Sequence, residues 1–226
     1  MSPTLLFIAV LAVAVTDWVA VAKGWRKIEI IAKPATMVLL FGYLVLAGGF
    51  NATPLICFGL GILFSLAGDV FLLFASTRWF LLGLVAFLLA QVAYILGLNI
   101  PLGEPSSLWA IGIGIVLAMT TGRILRRILA GVREKGHPRL VVPIVIYGTV
   151  ITLMVLSAIL TIYRVDWKTS ASGLVSVGAI LFYSSDMILA WNKFVKPIRN
   201  GRLMNMIAYH LGQIALIAGI VLQFAN

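Results

Sequence analysis

Charge is scarce in this sequence: Asp, Glu, Lys and Arg make up 11% of its 226 residues, where a soluble domain carries about 25%. Cysteine is scarcer still. The single Cys57 excludes an intrachain disulfide and a thiolate zinc cage. Two histidines, His137 and His210, are too few for a His-rich metal centre. No phosphate loop, zincin helix or Ser-His-Asp arrangement is present. These shortages exclude a soluble enzyme, a disordered chain and a secreted disulfide scaffold. What is abundant is apolar: 62% of the residues are hydrophobic and the mean hydropathy is +1.11.

The apolar residues fall into eight runs, at 3–22, 34–50, 53–75, 79–98, 107–125, 140–162, 171–191 and 204–224. Each is about the 20 residues that a helix needs to cross a bilayer. The runs are continuous rather than alternating, which favours helices over a barrel. The first lacks a basic leader segment and reads as a retained helix. The gaps are too short for a soluble domain. The expected fold is an all-α, polytopic transmembrane bundle of eight helices forming one domain over 1–226.

The net charge of +10 is a topology signal. Of the 17 Lys and Arg residues, all but Arg164 and Lys168 fall in alternate loops. The positive-inside rule puts that majority in the cytoplasm and both termini on the non-cytoplasmic side. The same basic ring suits anionic lipid headgroups, and no part of the chain suits nucleic acid. Short loops fit a bacterial cytoplasmic membrane.

Ionisable residues within a span are costly and mark function. At 1.5 Å per residue, Asp69 in span 3 lies roughly 13 Å from Arg78 along its helix. Asp186 in span 7 lies roughly 10 Å before Lys193, and His210 in span 8 roughly 12 Å after Arg202. Tyr147 in span 6 sits at a similar depth after Arg139. Four helices thus place a polar group at one level in the cytoplasmic half, with Lys33 capping span 2 just below. Ser65 and Gly68 share the face of Asp69; Tyr209, His210 and Gln213 form a stripe on span 8. Asp17 reads as an interfacial residue, Met37 and Cys57 as packing, and the run from Arg123 to Arg139 as a solvated face. A weak echo relates 63–72 (LFSLAGDVFL) to 181–189 (LFYSSDMIL), suggesting a 4+4 parallel repeat with the two aspartates in equivalent positions.

Motifs spread along most of the chain resemble the YhhN-like family of integral membrane proteins, which includes the lysoplasmalogenases. They are Lys33-Pro34, Ser65-Leu66-Ala67-Gly68-Asp69, Gly83-Leu84-Val85-Ala86-Phe87, Pro143 to Tyr147 with Met154, Gly178 to Phe182 leading to Ser185-Asp186, and Tyr209 with Gly212-Gln213. Members often carry His where this chain has Gln91, three residues before Tyr94. The resemblance implies hydrolysis of the vinyl ether bond of a lysoplasmalogen, releasing a fatty aldehyde and a glycerophospho-choline or -ethanolamine. It implies a lysophospholipid substrate, with no cofactor and no metal.

The residues suit that chemistry. Protonating a vinyl ether carbon gives an oxocarbenium ion to which water adds, which calls for an acid, a base and a negative field. Asp69 and Asp186 are the expected acid/base pair, in either order. Tyr147, Tyr209, His210, Gln213 and Ser65 are expected to orient water or relay protons. Lys33, Lys193 and Arg202 are expected to hold the phosphate. The alternative is a proton-coupled lipid or small-molecule transporter or flippase, which buried aspartates and a parallel repeat would equally serve.

Overall fold

The computed structural model describes residues 2–74, 76–102 and 107–225. Among them there is no strand. Eight long helices follow one another: α1 (Pro3–Lys23), α2 (Arg26–Tyr43, continued by a π turn over Leu44–Gly48), α3 (Thr53–Leu72), α4 (Thr77–Asn99), α5 (Ser107–Glu134), α6 (Val141–Leu160), α7 (Thr169–Phe194) and α8 (Gly201–Phe224). Seven of them, all but α5, are long and apolar enough to cross a membrane. In a bilayer the backbone has no water to bond, so an apolar run of this length must satisfy its amides as a helix. The protein is an integral membrane helical bundle.

Local signals set the helix ends. Ser2 accepts from the Leu5 N–H to cap α1, and Ser76 accepts from Trp79 to cap α4. Gly24 ends α1 in the left-handed region at φ 70°, where its missing Cβ removes the steric cost.

Two boundaries differ from the sequence expectation. The second span does not open at Pro34; α2 starts at Arg26 and runs through the proline. The missing proline N–H costs one helical bond, and Thr36 donates its hydroxyl to the Ala32 carbonyl in the next turn, at 2.9 Å. The extra turns bring Arg26, Glu29 and Lys33 onto one helical face. The fifth span is the other departure. Its apolar stretch ends at Arg123, yet α5 continues to Glu134 as an amphipathic extension. Arg126, Arg127 and Arg133 are exposed there, while Ile128 and Val132 are buried beside Phe80, Leu140, Ile144 and Phe194. The basic run is thus a solvated face on one side and a packed face on the other.

Glycines and small residues let the helices approach closely, as membrane interfaces require. A Cβ at Gly178 would lie 2.7 Å from the Leu216 nitrogen, and one at Gly212 would lie 2.8 Å from the Phe182 nitrogen, so α7 and α8 meet backbone to backbone. On α3, Gly61 receives the Tyr94 ring and Gly68 the Phe87 ring of α4.

The two ends of the bundle use their cations differently. At the basic end, Arg26 donates to the Leu73 carbonyl, Lys135 to the Lys193 carbonyl, and Arg202 to Glu29. At the other end, Arg164 donates to the Leu98 and Pro101 carbonyls and Lys168 to the Leu222 carbonyl. These two cations terminate α4 and α8 by satisfying their last carbonyls. Arg164 also donates twice to Asp166, at 3.1 and 2.7 Å. Those hydrogen bonds hold the Asp166 carboxyl below the usual carboxylate range.

Candidate active site

Asp69 is fully buried on α3, and its two oxygens have separate partners. Lys33 Nζ lies 3.0 Å from Oδ1, and the Tyr209 hydroxyl donates to Oδ2 at 2.7 Å. The helix face that carries Asp69 also carries Ser65 one turn earlier. Ser65 accepts from Gln213 Nε2 at 2.9 Å, and Gln213 Oε1 accepts from the Tyr94 hydroxyl at 2.7 Å. This chain locks α3, α4 and α8 behind the carboxylate and, through i,i+4 spacing, braces both Asp69 and Tyr209. The Tyr209 ring is wedged between Phe87 and Phe182, at 5.9 and 5.5 Å. Its orientation is fixed by packing as well as by its hydroxyl.

Asp186 is on α7, and its Oδ2 accepts from the Tyr147 hydroxyl of α6. No Lys or Arg lies within ion-pair distance of it among the described residues. Gln91 is fully buried on α4, and neither its Nε2 nor its Oε1 has a hydrogen-bond partner among the described residues.

Both aspartates line one cavity of about 200 Å³, together with Arg26, Glu29, Lys33, Arg202 and Asn205. Asp186 also lines a second, apolar groove walled by Phe80, Leu84, Ile128, Ile144 and Phe194. Leu72, Phe87 and Leu189 border both spaces. Asp186 therefore stands where a charged chamber meets an apolar one.

The cations that sequence reasoning nominated divide. Lys33 faces Asp69. Arg202 lines the charged cavity and makes a two-pronged ion pair with Glu29, at 2.7 and 2.9 Å. Lys193 does not join them: its ammonium rests over the Phe80 ring, 4.7 Å from the centroid. A cation at the end of α7 finds an aromatic face there at less desolvation cost than inside the chamber. His210 also stands apart from the cavity lining. Its Nδ1 accepts from Trp18 Nε1 at 3.1 Å, so Nε2 carries the proton of the neutral ring.

Asp17 corrects the expectation of an interfacial residue. It is fully buried on α1, with His210 Nδ1 at 4.0 Å as its nearest basic group. Depth along the helix had placed it near the surface; the neighbouring helices α2 and α8 cover it. Arg26, Glu29 and Asn205 went unnoticed in the sequence. The signal for the first two was the i, i+3, i+7 spacing of Arg26, Glu29 and Lys33, which counts only once α2 is begun at Arg26. Asn205 is an ordinary polar residue near a helix start, and its role as a lining group has no sequence signature. Among the described residues, no group of three or more His, Cys, Asp or Glu side chains is placed to hold a metal ion.

The chain is 27% identical over 206 residues to "Lysoplasmalogenase TMEM86B" of Mus musculus, covering 88% of this chain and 78% of that protein. The human protein of the same name is 26% identical over 153 residues, 67% of this chain and 58% of its own length. The Sus scrofa protein is 29% identical over 162 residues, 69% and 59%. The chain thus spans less than two thirds of the human and pig relatives. No solved structure matches the chain. The sequence profile of the YhhN family matches residues 28–220, taking in both aspartates, Lys33 and Tyr209: the chain belongs to the YhhN family.

Proposed function

We propose that this protein is a lysoplasmalogenase-type ether hydrolase that cleaves the vinyl ether bond of a lysophospholipid by carboxylate acid/base catalysis. The observation that carries this reading is the place of Asp186, at the border between a charged chamber and an apolar groove. In a lysoplasmalogen the scissile bond lies at the border between polar glycerophosphate and hydrocarbon chain. A molecule bound with its headgroup in the chamber and its chain in the groove presents that bond to Asp186. The relatives named lysoplasmalogenase support the same chemistry.

The surroundings distinguish the two carboxyls. Asp69 has a cation partner in Lys33, whereas Asp186 has a phenol and no cation. Asp186 is assigned the acid, giving its proton to the vinyl carbon nearer the chain. This produces an oxocarbenium ion, which the Asp69 carboxylate stabilises through its negative field. Water adds to the carbon attached to oxygen and loses its proton to the Asp186 carboxylate. The hemiacetal then collapses: its hydroxyl proton leaves, the carbon–oxygen bond breaks, and the glycerol oxygen takes up a proton. The sum is water plus vinyl ether giving aldehyde plus alcohol, with Asp186 protonated again. Tyr147 and Tyr209 hold the two carboxyls in place. Arg202 and Arg26, at the mouth, take the phosphate; Lys33, engaged by Asp69, is a positioning residue rather than the main phosphate ligand. The site lies toward the basic end of the bundle, which we assign to the cytoplasm, with both termini opposite.

The test is aldehyde release from a lysoplasmalogen by the purified protein in detergent, beside Asp186→Asn and Asp69→Asn. Release by the parent and loss of about 10²–10⁴-fold in each variant is expected. A folded parent protein that releases no aldehyde overturns the assignment. Lipid movement across liposomes without product would put a transporter in its place.

A further inference from the structure

The apolar groove beside Asp186 ends at a side chain. Leu125 of α5 lines that groove, and it also lines another groove lying between α5 and α6. Leu125 is thus the shared wall of the two spaces. It is seated on Gly148 of α6: a Cβ there would lie 3.5 Å from both Leu125 δ-methyls, an ordinary contact. Gly148 is thus the floor on which the Leu125 side chain rests.

The groove beyond the wall is made by missing side chains. A Cβ at Gly122, one turn before Leu125, would meet nothing within 4 Å, and one at Gly114 would meet only Leu156, at 3.7 Å. Three threonines line it, and each has its hydroxyl already hydrogen-bonded within the protein. Thr121 is bonded to Thr152 and to Tyr183, at 3.0 and 2.9 Å. Thr152 donates to the Gly148 carbonyl and Thr149 to the Val145 carbonyl. With the hydroxyls engaged inside the protein, the lining turns methyls and methylenes toward the space. Such a surface accepts hydrocarbon and penalises a polar ligand, whose own groups would be left without partners.

We infer that Leu125, seated on Gly148, is the end wall of a hydrocarbon-chain site and sets the chain length that the protein accepts. The occupant is the single aliphatic chain of an amphiphile whose polar end lies in the charged chamber; the inference rests on the proposed lysolipid reading. Chain carbons between Asp186 and the wall are buried by the protein. Those beyond it are turned aside.

The experiment measures binding and turnover against chain length. Saturated lysophosphatidylcholines of increasing length, which lack the vinyl ether, are titrated into the detergent-solubilised protein; lysoplasmalogens of matching lengths are assayed for aldehyde. For the parent, affinity rises with each methylene and then stops rising. Each further methylene buried is worth roughly fourfold in affinity. In Leu125→Ala the two grooves join and the rise continues past the parental limit by about that factor per methylene. Filling the far groove with Gly122→Leu in the Leu125→Ala background returns the limit to its parental place. Leu125→Phe, which thickens the wall, moves it to shorter chains and serves should Leu125→Ala fail to fold. An unchanged limit in folded Leu125→Ala or Leu125→Phe overturns the inference. A limit that moves in the binding series without aldehyde formation keeps the wall and removes the vinyl ether reading. Aldehyde release with an unmoved limit does the reverse. Absence of lysolipid binding at every length overturns both.

Discussion

Lys33→Met should leave Asp69 as a buried carboxylate with one neutral donor and no cation. Lys33 Nζ and Asp69 Oδ1 are 3.0 Å apart, and unit charges at that separation attract by about 5.5 kcal/mol at an effective dielectric of about 20. Breaking a buried pair by removing one partner typically costs about 3–5 kcal/mol, because the other charge stays behind. Lys33→Met is therefore expected to destabilise by about 3–5 kcal/mol. Removing both charges is a different perturbation. In Lys33→Met with Asp69→Asn no lone charge remains, and the amide still accepts from Tyr209. The double variant should cost less than the two single variants added together, by about 2 kcal/mol or more. The assay is equilibrium unfolding in mixed micelles, followed by helical circular dichroism, for the parent, both single variants and the double. Additive losses within about 0.5 kcal/mol would show that the two residues do not act as a pair. The cycle needs no substrate, so it tests the site's geometry apart from its chemistry.

Other expectations follow from the same contacts. Tyr147→Phe removes a hydrogen bond to a carboxyl, worth about 1.5–3 kcal/mol for a charged partner, so kcat should fall roughly 10- to 150-fold with the helix content intact; an unchanged kcat would remove Tyr147 from the site. Arg202→Ala should raise KM for the lysolipid more than it lowers kcat, and an effect on kcat alone would argue against a phosphate role. Gly178→Ala places a methyl 2.7 Å from the Leu216 nitrogen and should destabilise by about 1–3 kcal/mol. Gly112→Ala has open space around its methyl and should gain up to about 1 kcal/mol of helix propensity; thermal scans of the two variants side by side decide the point. Because Arg164 depresses the Asp166 carboxyl, that pair stabilises the fold above the usual carboxylate range, and the contribution fades as pH falls through the depressed folded value. Asp166→Asn should be less stable than the parent at neutral pH and converge on it in acid; a constant gap across pH would contradict the pairing.

The sequence made the membrane bundle legible because lipid imposes a simple rule. A long apolar run has one way to satisfy its backbone, so run lengths and basic loops predict spans and their alternation. Asp69 and Asp186 were legible for a related reason: a carboxylate in an apolar run is conspicuous, and its cost marks it. Tyr147, Tyr209 and Lys33 followed from depth along their own helices. The depth argument failed for Asp17, because depth says where a residue lies along a helix and nothing about which neighbour covers it. Nor could sequence position say that the Lys193 ammonium would rest over the Phe80 ring.

Only the tertiary structure decided the pairings. Lys33 belongs to Asp69, Tyr147 to Asp186, and Arg202 to Glu29, and each pair joins residues from different helices. One sequence cannot reveal such contacts, since helix rotation and crossing are set by side-chain packing, here by glycines that admit a facing backbone or ring. The same packing leaves a charged chamber on one side of Asp186 and an apolar groove on the other. The sequence alone determined that two carboxyls would be buried in a membrane bundle. The packing determined that one would have a cation beside it and the other would not, because that depends on which helix faces meet.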